Sequence, residues 1–183
     1  KLENLQPVGA FKIRGASNAI KLTDRKNLKN GVWTMSSGNH GQAVAWIARK
    51  MGLSCTIYAW EIAAKNKIEA IERMGAKVKF IPTFSNIKQL KETFYPRFYP
   101  DEKGLCIHPF NDPAVTSGQG TIGLEILEDL PDVDTVLMPF GGGGLSCGIA
   151  SAIRALKPDT KLFGCEAETV TSLTASFNAG KPV

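Results

Sequence analysis

The sequence contains no long run of apolar residues. A membrane-spanning helix needs about 20 consecutive apolar residues, and no stretch of the 183 residues approaches that length. The charged start KLENLQ also lacks the apolar core of a signal peptide. We therefore expect a cytoplasmic protein with no membrane partner.

Cysteine is scarce and widely spaced. The four cysteines contain no CxxC pair. That spacing argues against a cysteine-based zinc site and against a secreted disulfide framework. The thiols are expected to be reduced.

The sequence also lacks a block of like charge. Its net charge of +5 comes from Lys and Arg scattered among acidic residues, so a nucleic-acid partner is not favoured. A mild attraction for anionic small molecules fits this charge equally well. Apolar residues make up 43% and charged residues 21% of the chain, which is typical of a globular protein and argues against disorder.

Six short β-rich runs alternate with helix-length segments along the chain. The helical segments place apolar residues at i, i+3, i+4 and i+7, and several stop at Gly or Pro. This βα alternation predicts an α/β fold with open, doubly wound parallel sheets, whose ligands bind beyond the carboxyl ends of the strands. The predicted strands are GVWTMS (31–36), LSCTIYA (53–59), KVKFI (77–81), LCI (105–107), DTVLMP (134–139) and KLFGC (161–165). The predicted helices lie in residues 40–52, 64–76, 85–94, 113–130 and 144–158.

A lysine between apolar neighbours is the first candidate site residue. In PVGAFKIRGA, residues 7–16, Lys12 lies between Phe11 and Ile13, just before an apolar helical run. Apolar surroundings disfavour the charged ammonium, lower the lysine pKa and leave an amine that can form a Schiff base. The alternative is a solvated surface lysine, which is where most isolated lysines lie.

The motif SSGNHGQA, residues 36–43, joins a predicted strand to a predicted helix. Backbone N–H groups of such a turn, at the positive end of a helix, form a receptor for a carboxylate, and the Asn39 amide can donate to an anionic oxygen. The alternative is an ordinary helix cap by Ser or Asn. We interpret His40 as a positioning or packing residue rather than a base.

Four consecutive glycines mark the third motif, FGGGGLSCG at residues 140–148. Without side chains between ligand and backbone, successive N–H groups at a helix start can surround a phosphate. A tight turn alone needs only one or two glycines. The motif therefore predicts a phosphate site.

The same glycines support a rival reading as a nicotinamide dinucleotide-binding oxidoreductase. Gly142, Gly144 and Gly148 give a G-x-G-x-x-x-G spacing, and Glu166 ends the following strand about 20 residues on, where such folds place a ribose-binding acid. The full GxGxxG pattern is absent, and the other two motifs stay unexplained. We rank this reading second.

Taken together, KLENLQPVGAFKIRGA, SSGNHGQA, FNDPAVTSGQGTIGLEI and PFGGGGLSCGIA resemble, in order and spacing, the fold-type-II enzymes that depend on pyridoxal 5'-phosphate (PLP). The likeness is greatest to serine/threonine dehydratases (threonine ammonia-lyases) and serine racemase. It implies the two-domain architecture of the tryptophan synthase β type, with residues 1–29 and 112–183 in a large domain and 30–111 in a smaller mobile domain. It also implies a homodimer.

The resemblance implies a lyase of amino acid metabolism. Its reaction would be the β-elimination of a hydroxy amino acid such as L-threonine or L-serine to a 2-oxo acid and ammonia. A serine- or aspartate-type racemase is the alternative, because SSGNHGQA differs from the SAGNHAQG common in biosynthetic dehydratases and Ser37 occupies the place of the racemase proton donor. The segment SLTASFNAGKPV is closer to the dehydratases.

By the same resemblance each motif residue has an expected role. Lys12 would carry PLP and act as a catalytic residue, and Ser37 would be the second catalytic residue. The expected cofactor ligands are Lys12, Phe11, Asn39, Gly141, Gly142, Gly143, Gly144 and Leu145. The expected ligands of the amino acid substrate are Ser36, Ser37, Gly38, Asn39 and His40.

Several residues depart from the family pattern. Val8 and Ala10 replace the Thr and Ser of PTGSFK, which removes two hydroxyls near the lysine. Glu166 matches the first ligand of a divalent-cation site in some relatives, but Ser172 stands where the second carboxylate belongs. We therefore predict no metal and interpret Glu166 as a hydrogen-bonded loop acid.

The chain has no initiator Met, and it enters its first motif at once. Members of the family also continue well past the equivalent of Val183, where they supply the Ser or Thr that bonds the cofactor's ring nitrogen. We therefore expect a fragment. An inactive PLP-binding piece is the non-enzymatic alternative.

Overall fold

A computed structural model of the chain describes residues 1–82 and 103–181. Within these ranges strands and helices alternate as predicted, with boundaries within a few residues of those expected. The predicted helix at residues 85–94 lies outside the described residues. The strands are β1 (Val32–Met35), β2 (Cys55–Trp60), β3 (Lys77–Ile81), β4 (Leu105–Cys106), β5 (Thr135–Pro139) and β6 (Lys161–Cys165). The α-helices are α1 (Lys12–Leu22), α2 (Asn39–Lys50), α3 (Lys65–Arg73), α4 (Pro113–Asp129), α5 (Gly144–Leu156) and α6 (Ser172–Ala179).

The first four strands form a parallel sheet in the order β3-β2-β1-β4. The pairing of β1 with β2 runs from Val32↔Cys55 to Met35↔Tyr58. Neighbouring residues of β2, Ile57 and Tyr58, point to opposite faces of the sheet, yet both are buried. Such burial on both faces is typical of a parallel sheet whose crossover helices cover it.

The last two strands form a second parallel sheet, in which β5 pairs with β6 along five residues of each strand. The crossover between them is α5, whose Ile149 and Ile153 pack with Val136 and Met138 of β5. The strands of the first sheet fall within residues 30–111 and those of the second within 112–183. The parallel α/β architecture is confirmed, whereas the division into a large and a mobile domain stays a prediction.

Glycines allow α4 to pack closely against both α1 and α5. A Cβ on Gly15 of α1 would lie 2.5 Å from the Val115 carbonyl oxygen of α4. A Cβ on Gly148 of α5 would overlap the Thr116 carbonyl oxygen of α4. Because nonbonded atoms need more than 3 Å, larger residues would push these helices apart. Helix α4 therefore fixes the separation of α1 and α5, the two helices that begin at Lys12 and at the glycine motif.

Helix α4 has a well-defined start. The Asp112 carboxylate accepts hydrogen bonds from the backbone N–H groups of Ala114, at 2.7 Å, and Val115, at 3.2 Å. Pro113 occupies the first helical position, where the missing N–H costs nothing. This cap anchors the connection that runs from β4 into α4.

All four cysteines are free thiols, and burial raises the pKa of Cys55 to about 12.

No helix within the described residues has the length and apolar character needed to cross a membrane.

Candidate functional site

Two of the predicted motifs line one cavity, although they are about 130 residues apart in the chain. Lys12 opens α1 and the four glycines open α5, and both helix starts face a cavity of about 320 Å³. The cavity is lined by Phe11, Lys12, Phe110, Pro139, Phe140, Gly141, Gly142, Gly143, Gly144, Leu145 and Ser146.

Lys12 is half-buried in the cavity wall. Its Nζ donates a hydrogen bond of 2.6 Å to the Pro109 carbonyl oxygen and lies 5.3 Å from the centroid of the Phe11 ring. Burial lowers the pKa of the Lys12 ammonium from 10.5 to about 8. At pH 7 about one molecule in ten then has a neutral amine, against about one in 3000 for an unperturbed lysine. Lys12 can therefore act as a nucleophile or base near neutral pH.

The glycine motif forms the opposite part of the wall. Gly143 has φ of +84°, a left-handed conformation that favours glycine, and it precedes the first turn of α5. A Cβ on Gly142 would lie 2.5 Å from the Phe110 ring, while one on Gly141 would meet no protein atom within 4 Å. The first N–H groups of any helix lack intrahelical partners and carry partial positive charge. This loop can therefore hold an anion such as a phosphate.

The SSGNHG turn lies between β1 and α2. The Ser37 hydroxyl oxygen accepts a 2.8 Å hydrogen bond from the Trp60 N–H, and the Ser36 hydroxyl accepts one of 3.3 Å from the Gly38 N–H. Asn39 is exposed and begins α2. None of the residues 36–40 lines the 320 Å³ cavity. The structure thus brings Lys12 and the glycines together and leaves this turn outside their common wall.

His40 is buried at the start of α2. Its Nε2 lies 3.0 Å from the Ile107 carbonyl oxygen, so Nε2 carries the proton and donates it. Burial lowers the pKa of His40 to about 3, an effect that the bond to Ile107 opposes and the Lys12 charge reinforces. Its Nδ1 has no hydrogen-bond partner among the described residues. A neutral, buried imidazole agrees with the interpretation of His40 as a positioning residue.

Sequence reasoning missed the connection between β4 and α4 as part of the site. Pro109 supplies the acceptor for Lys12, and the Phe110 ring packs on the glycine loop. A signal was available, because β4 is parallel to β1 and the carboxyl ends of parallel strands meet at one edge of a sheet. The residues that follow β4 could have been added to the candidate site on that ground.

Glu166 caps the start of α6. Its carboxylate accepts hydrogen bonds from the Leu173 N–H at 2.5 Å, the Thr174 N–H and hydroxyl at 2.9 Å each, and the Ser172 hydroxyl at 3.4 Å. Burial raises the pKa of Glu166, but these hydrogen bonds outweigh it and the net pKa is lowered. With both oxygens engaged, Glu166 is poorly placed to bind a ribose, which weakens the nicotinamide reading. In residues 1–82 and 103–181, no three His, Cys, Asp or Glu side chains cluster in a way that could hold a metal ion.

The cavity matches a ligand with two chemical groups. The glycine loop suits a phosphate, and a lysine amine with a lowered pKa suits a carbonyl carbon. PLP carries a phosphate and an aldehyde on one small aromatic ring. The residues present therefore fit PLP.

Comparisons with known proteins agree with this chemistry. A family model described as "Pyridoxal-phosphate dependent enzyme" matches residues 1–183. An L-threonine ammonia-lyase of Thermotoga maritima is 43% identical over 183 residues, which cover 99% of this chain and 44% of that protein. The chain thus spans about half the length of the curated relatives it matches.

Solved structures of a serine racemase and a threonine deaminase also resemble this chain. Maize serine racemase superimposes with a TM-score of 0.89 at 37% identity, over 100% of this chain and 55% of that one. Threonine deaminase isoform 2 from Solanum lycopersicum superimposes with a TM-score of 0.86 at 34% identity, over 100% of this chain and 52% of that one. Both likenesses extend over the complete described fold.

Proposed function

Because the chain belongs to the family of pyridoxal-phosphate dependent enzymes and has the parallel α/β architecture of their fold type II, we propose that the whole protein is an ammonia-lyase. It converts a hydroxy amino acid such as L-threonine or L-serine into a 2-oxo acid, with loss of ammonia. The observation that carries the proposal is the pairing, in one cavity, of Lys12 with a phosphate-type glycine loop. The names of the Thermotoga and Solanum relatives support the choice of substrate.

PLP would be held at both ends of the cavity. Gly141, Gly142, Gly143, Gly144 and Leu145 would bind its phosphate through backbone N–H groups. Lys12 would carry it, with Phe11 alongside and Asn39 at the ring hydroxyl. When bound, PLP supplies an electron sink for bond changes at the α-carbon of the amino acid.

Lys12 is the base in this proposal. With a pKa of about 8, its Nζ can accept a proton from the substrate α-carbon at neutral pH and return it later. The Pro109 carbonyl oxygen, 2.6 Å away, orients the amine when it is free. The apolar walls formed by Phe11 and Phe110 limit the access of water to it.

The SSGNHG turn would bind the substrate carboxylate. Ser36, Ser37, Gly38, Asn39 and His40 lie at the start of α2, where backbone N–H groups and the helix dipole favour an anion. This turn lies outside the cavity wall, so the proposal includes a closing movement that brings the turn, with β1 and α2 on either side of it, over the substrate. We also propose, from the family resemblance, that the whole protein is a cytoplasmic homodimer, which light scattering and cell fractionation would test.

Covalent trapping tests the cofactor assignment. The whole protein would be mixed with PLP, reduced with borohydride and digested, and peptides that carry a pyridoxyl group would be identified by mass. The label is expected on Lys12 and absent from Lys12→Ala. Lys21→Ala serves as a matched control, because Lys21 lies exposed on the same helix and should leave labelling intact.

Release of 2-oxo acid from L-threonine and L-serine tests the reaction. Wild type and Lys21→Ala are expected to release it, and Lys12→Ala is not. A protein that takes up no PLP, with Lys12 unlabelled, would refute the proposal and favour the nicotinamide reading. A labelled protein that turns over neither amino acid would point to a PLP-binding protein without lyase activity.

Racemisation is the second candidate, and the contacts of Ser37 favour it. The Ser37 oxygen accepts from the Trp60 N–H at 2.8 Å, which leaves its own O–H available as a donor. A proton donor distinct from Lys12 is what racemisation requires. The structural likeness to maize serine racemase agrees with this candidate.

Chiral analysis of serine separates the two reactions. If Ser37 is the second proton donor, Ser37→Ala should lose D-serine formation and keep 2-oxo acid release. Ser151→Ala changes an exposed serine of α5 outside the turn and serves as the control, which should retain both. D-serine formation at an unchanged rate in Ser37→Ala would remove Ser37 from the reaction.

A further inference from the structure

The connection between β4 and α4, residues 107–111, contacts Lys12, the glycine loop and His40. The Ile107 carbonyl oxygen accepts hydrogen bonds from Thr34 at 2.6 Å and from His40 at 3.0 Å. The Pro109 carbonyl accepts from Lys12, and the Phe110 ring lies against the glycine loop. The conformation of this connection therefore sets the position of the Lys12 acceptor and of one cavity wall.

His108 holds the connection in its turned conformation. Its Nδ1 lies 2.8 Å from the Asn111 N and 3.2 Å from the Phe110 N, and both N–H groups donate to it. Its ring also packs edge-on against the Phe110 ring, with centroids 4.8 Å apart and planes at 89°. Because Nδ1 accepts from two donors, it must carry a lone pair, and any ring proton must be on Nε2.

We propose that His108 is a positioning residue whose unprotonated Nδ1 closes the turn that presents the Pro109 carbonyl to Lys12 and the Phe110 ring to the glycine loop. The proposal rests on the proposed function, since it concerns the same PLP site. A proton on Nδ1 would face the N–H groups of Phe110 and Asn111 and would remove both hydrogen bonds.

The surroundings of His108 favour the neutral ring. Burial lowers the pKa of His108, the Lys12 charge from α1 lowers it further, and the Asp112 carboxylate opposes both. His40 of α2 also faces it, and with a pKa of about 3 that ring is neutral at ordinary pH. Because the folded pKa lies below the ordinary 6.5, the turn is intact above pH 6.5 and opens as the pH falls through the lowered pKa.

Two substitutions test the Nδ1 acceptor of His108 separately from the packing of its ring. His108→Phe keeps an aromatic ring against Phe110 but has no acceptor. His108→Asn has a short acceptor that can reach N–H groups two and three residues ahead. The chain shows this geometry four residues later, where Asp112 accepts from Ala114 and Val115. Rescue by Asn and not by Phe would therefore identify the acceptor as the necessary feature.

The first measurement is the affinity for PLP as a function of pH, by absorbance titration of the whole protein. His108→Phe should bind PLP about tenfold more weakly at pH 8, the factor expected from losing one or two hydrogen bonds. Below pH 8 every protein should lose some affinity, because the Lys12 amine itself becomes protonated. Wild type should show an additional loss as the pH falls through the His108 pKa. His108→Asn should bind like wild type at pH 8 and lack that additional loss. Equal affinities and equal pH profiles in wild type and His108→Phe would overturn the proposal.

Two readouts do not depend on PLP. The ¹⁵N shifts of the His108 ring should show a single neutral form with the proton on Nε2, and a proton on Nδ1 would contradict the proposal. Acylation of Lys12 in the cofactor-free protein should have a different pH midpoint in His108→Phe and an unchanged one in His108→Asn. If wild type binds no PLP, the proposed function fails, while these two readouts still decide the role of His108.

Discussion

Two adjacent glycines of the loop offer a matched pair of substitutions. A Cβ on Gly142 would lie 2.5 Å from Cδ1 and 2.6 Å from Cγ of Phe110. Carbon atoms in contact are about 3.5–4.0 Å apart, so the ring would have to move by about 1 Å. Overpacking of this kind typically costs about 1–3 kcal/mol. Since 37% of the Phe110 surface is exposed, the ring has room to rotate, and we expect Gly142→Ala at the lower end of that range.

Gly141→Ala is the control for this prediction. Its Cβ would meet no atom within 4 Å, and its φ is not in the left-handed region. We therefore expect its unfolding free energy to lie within about 0.5 kcal/mol of the wild-type value, as for most substitutions that disturb no contact.

Urea unfolding of wild type and both variants gives the stability difference, and absorbance titration gives the affinity for PLP. Gly142→Ala should lose both stability and affinity, because Phe110 forms part of the wall that would hold the cofactor. Equal unfolding free energies for the two variants, or a greater loss in Gly141→Ala, would refute the packing of Phe110 on the loop.

Three further predictions follow from buried groups and close contacts. Acylation of Lys12 in the cofactor-free protein, followed by peptide mass against pH, should have a midpoint near pH 8, and a midpoint near the 10.4 of free lysine would contradict its burial. Burial lowers the pKa of His40 to about 3, so its contribution to stability is complete above pH 6.5 and falls by up to about 1.4 kcal/mol per unit between pH 6.5 and 3. Urea unfolding across this range should therefore show that the unfolding free energy falls more steeply with acid in wild type than in His40→Gln. Parallel pH profiles for the two proteins would contradict the burial of a neutral His40. Gly148→Ala should destabilise the protein by roughly 1–3 kcal/mol despite the better helix propensity of Ala, because its Cβ would overlap the Thr116 carbonyl oxygen; a raised melting temperature would show that α4 and α5 are not in such close contact.

Local patterns predicted the elements well. The runs KVKFI and KLFGC match β3 and β6 residue for residue, and PAVTSGQGTIGLEILEDL matches α4 to within one residue. These segments carry their own signals, namely short β-rich runs that follow helical patterns stopping at Gly or Pro, and a helix that starts at an Asp-Pro pair. The resemblance to the fold-type-II enzymes then indicated PLP as the cofactor, which the periodicity of the sequence alone does not specify.

Contacts between distant segments were not predictable in this way. The sequence shows glycines at 142 and 144, but it does not show that Phe110 fills the space above them. The distribution of the parallel strands between two sheets is likewise a tertiary result. His40 could be interpreted as a positioning residue from its place in the motif. Its acceptor, the Ile107 carbonyl oxygen, lies 67 residues away, and only the order of the strands in the sheet brings the two together.

The close packing of α1, α4 and α5 sets the geometry of the proposed cofactor site independently of the proposed substrate-binding turn, so the two can be engineered separately. The distance from Lys12 to the phosphate loop depends on Gly15, Gly118, Gly120 and Gly148 at the helix contacts, whereas the turn at residues 36–40 belongs to a different sheet. A library that randomises residues 36–38 and keeps Asn39, His40 and those four glycines should therefore vary the proposed substrate contacts without changing the residues proposed to hold PLP.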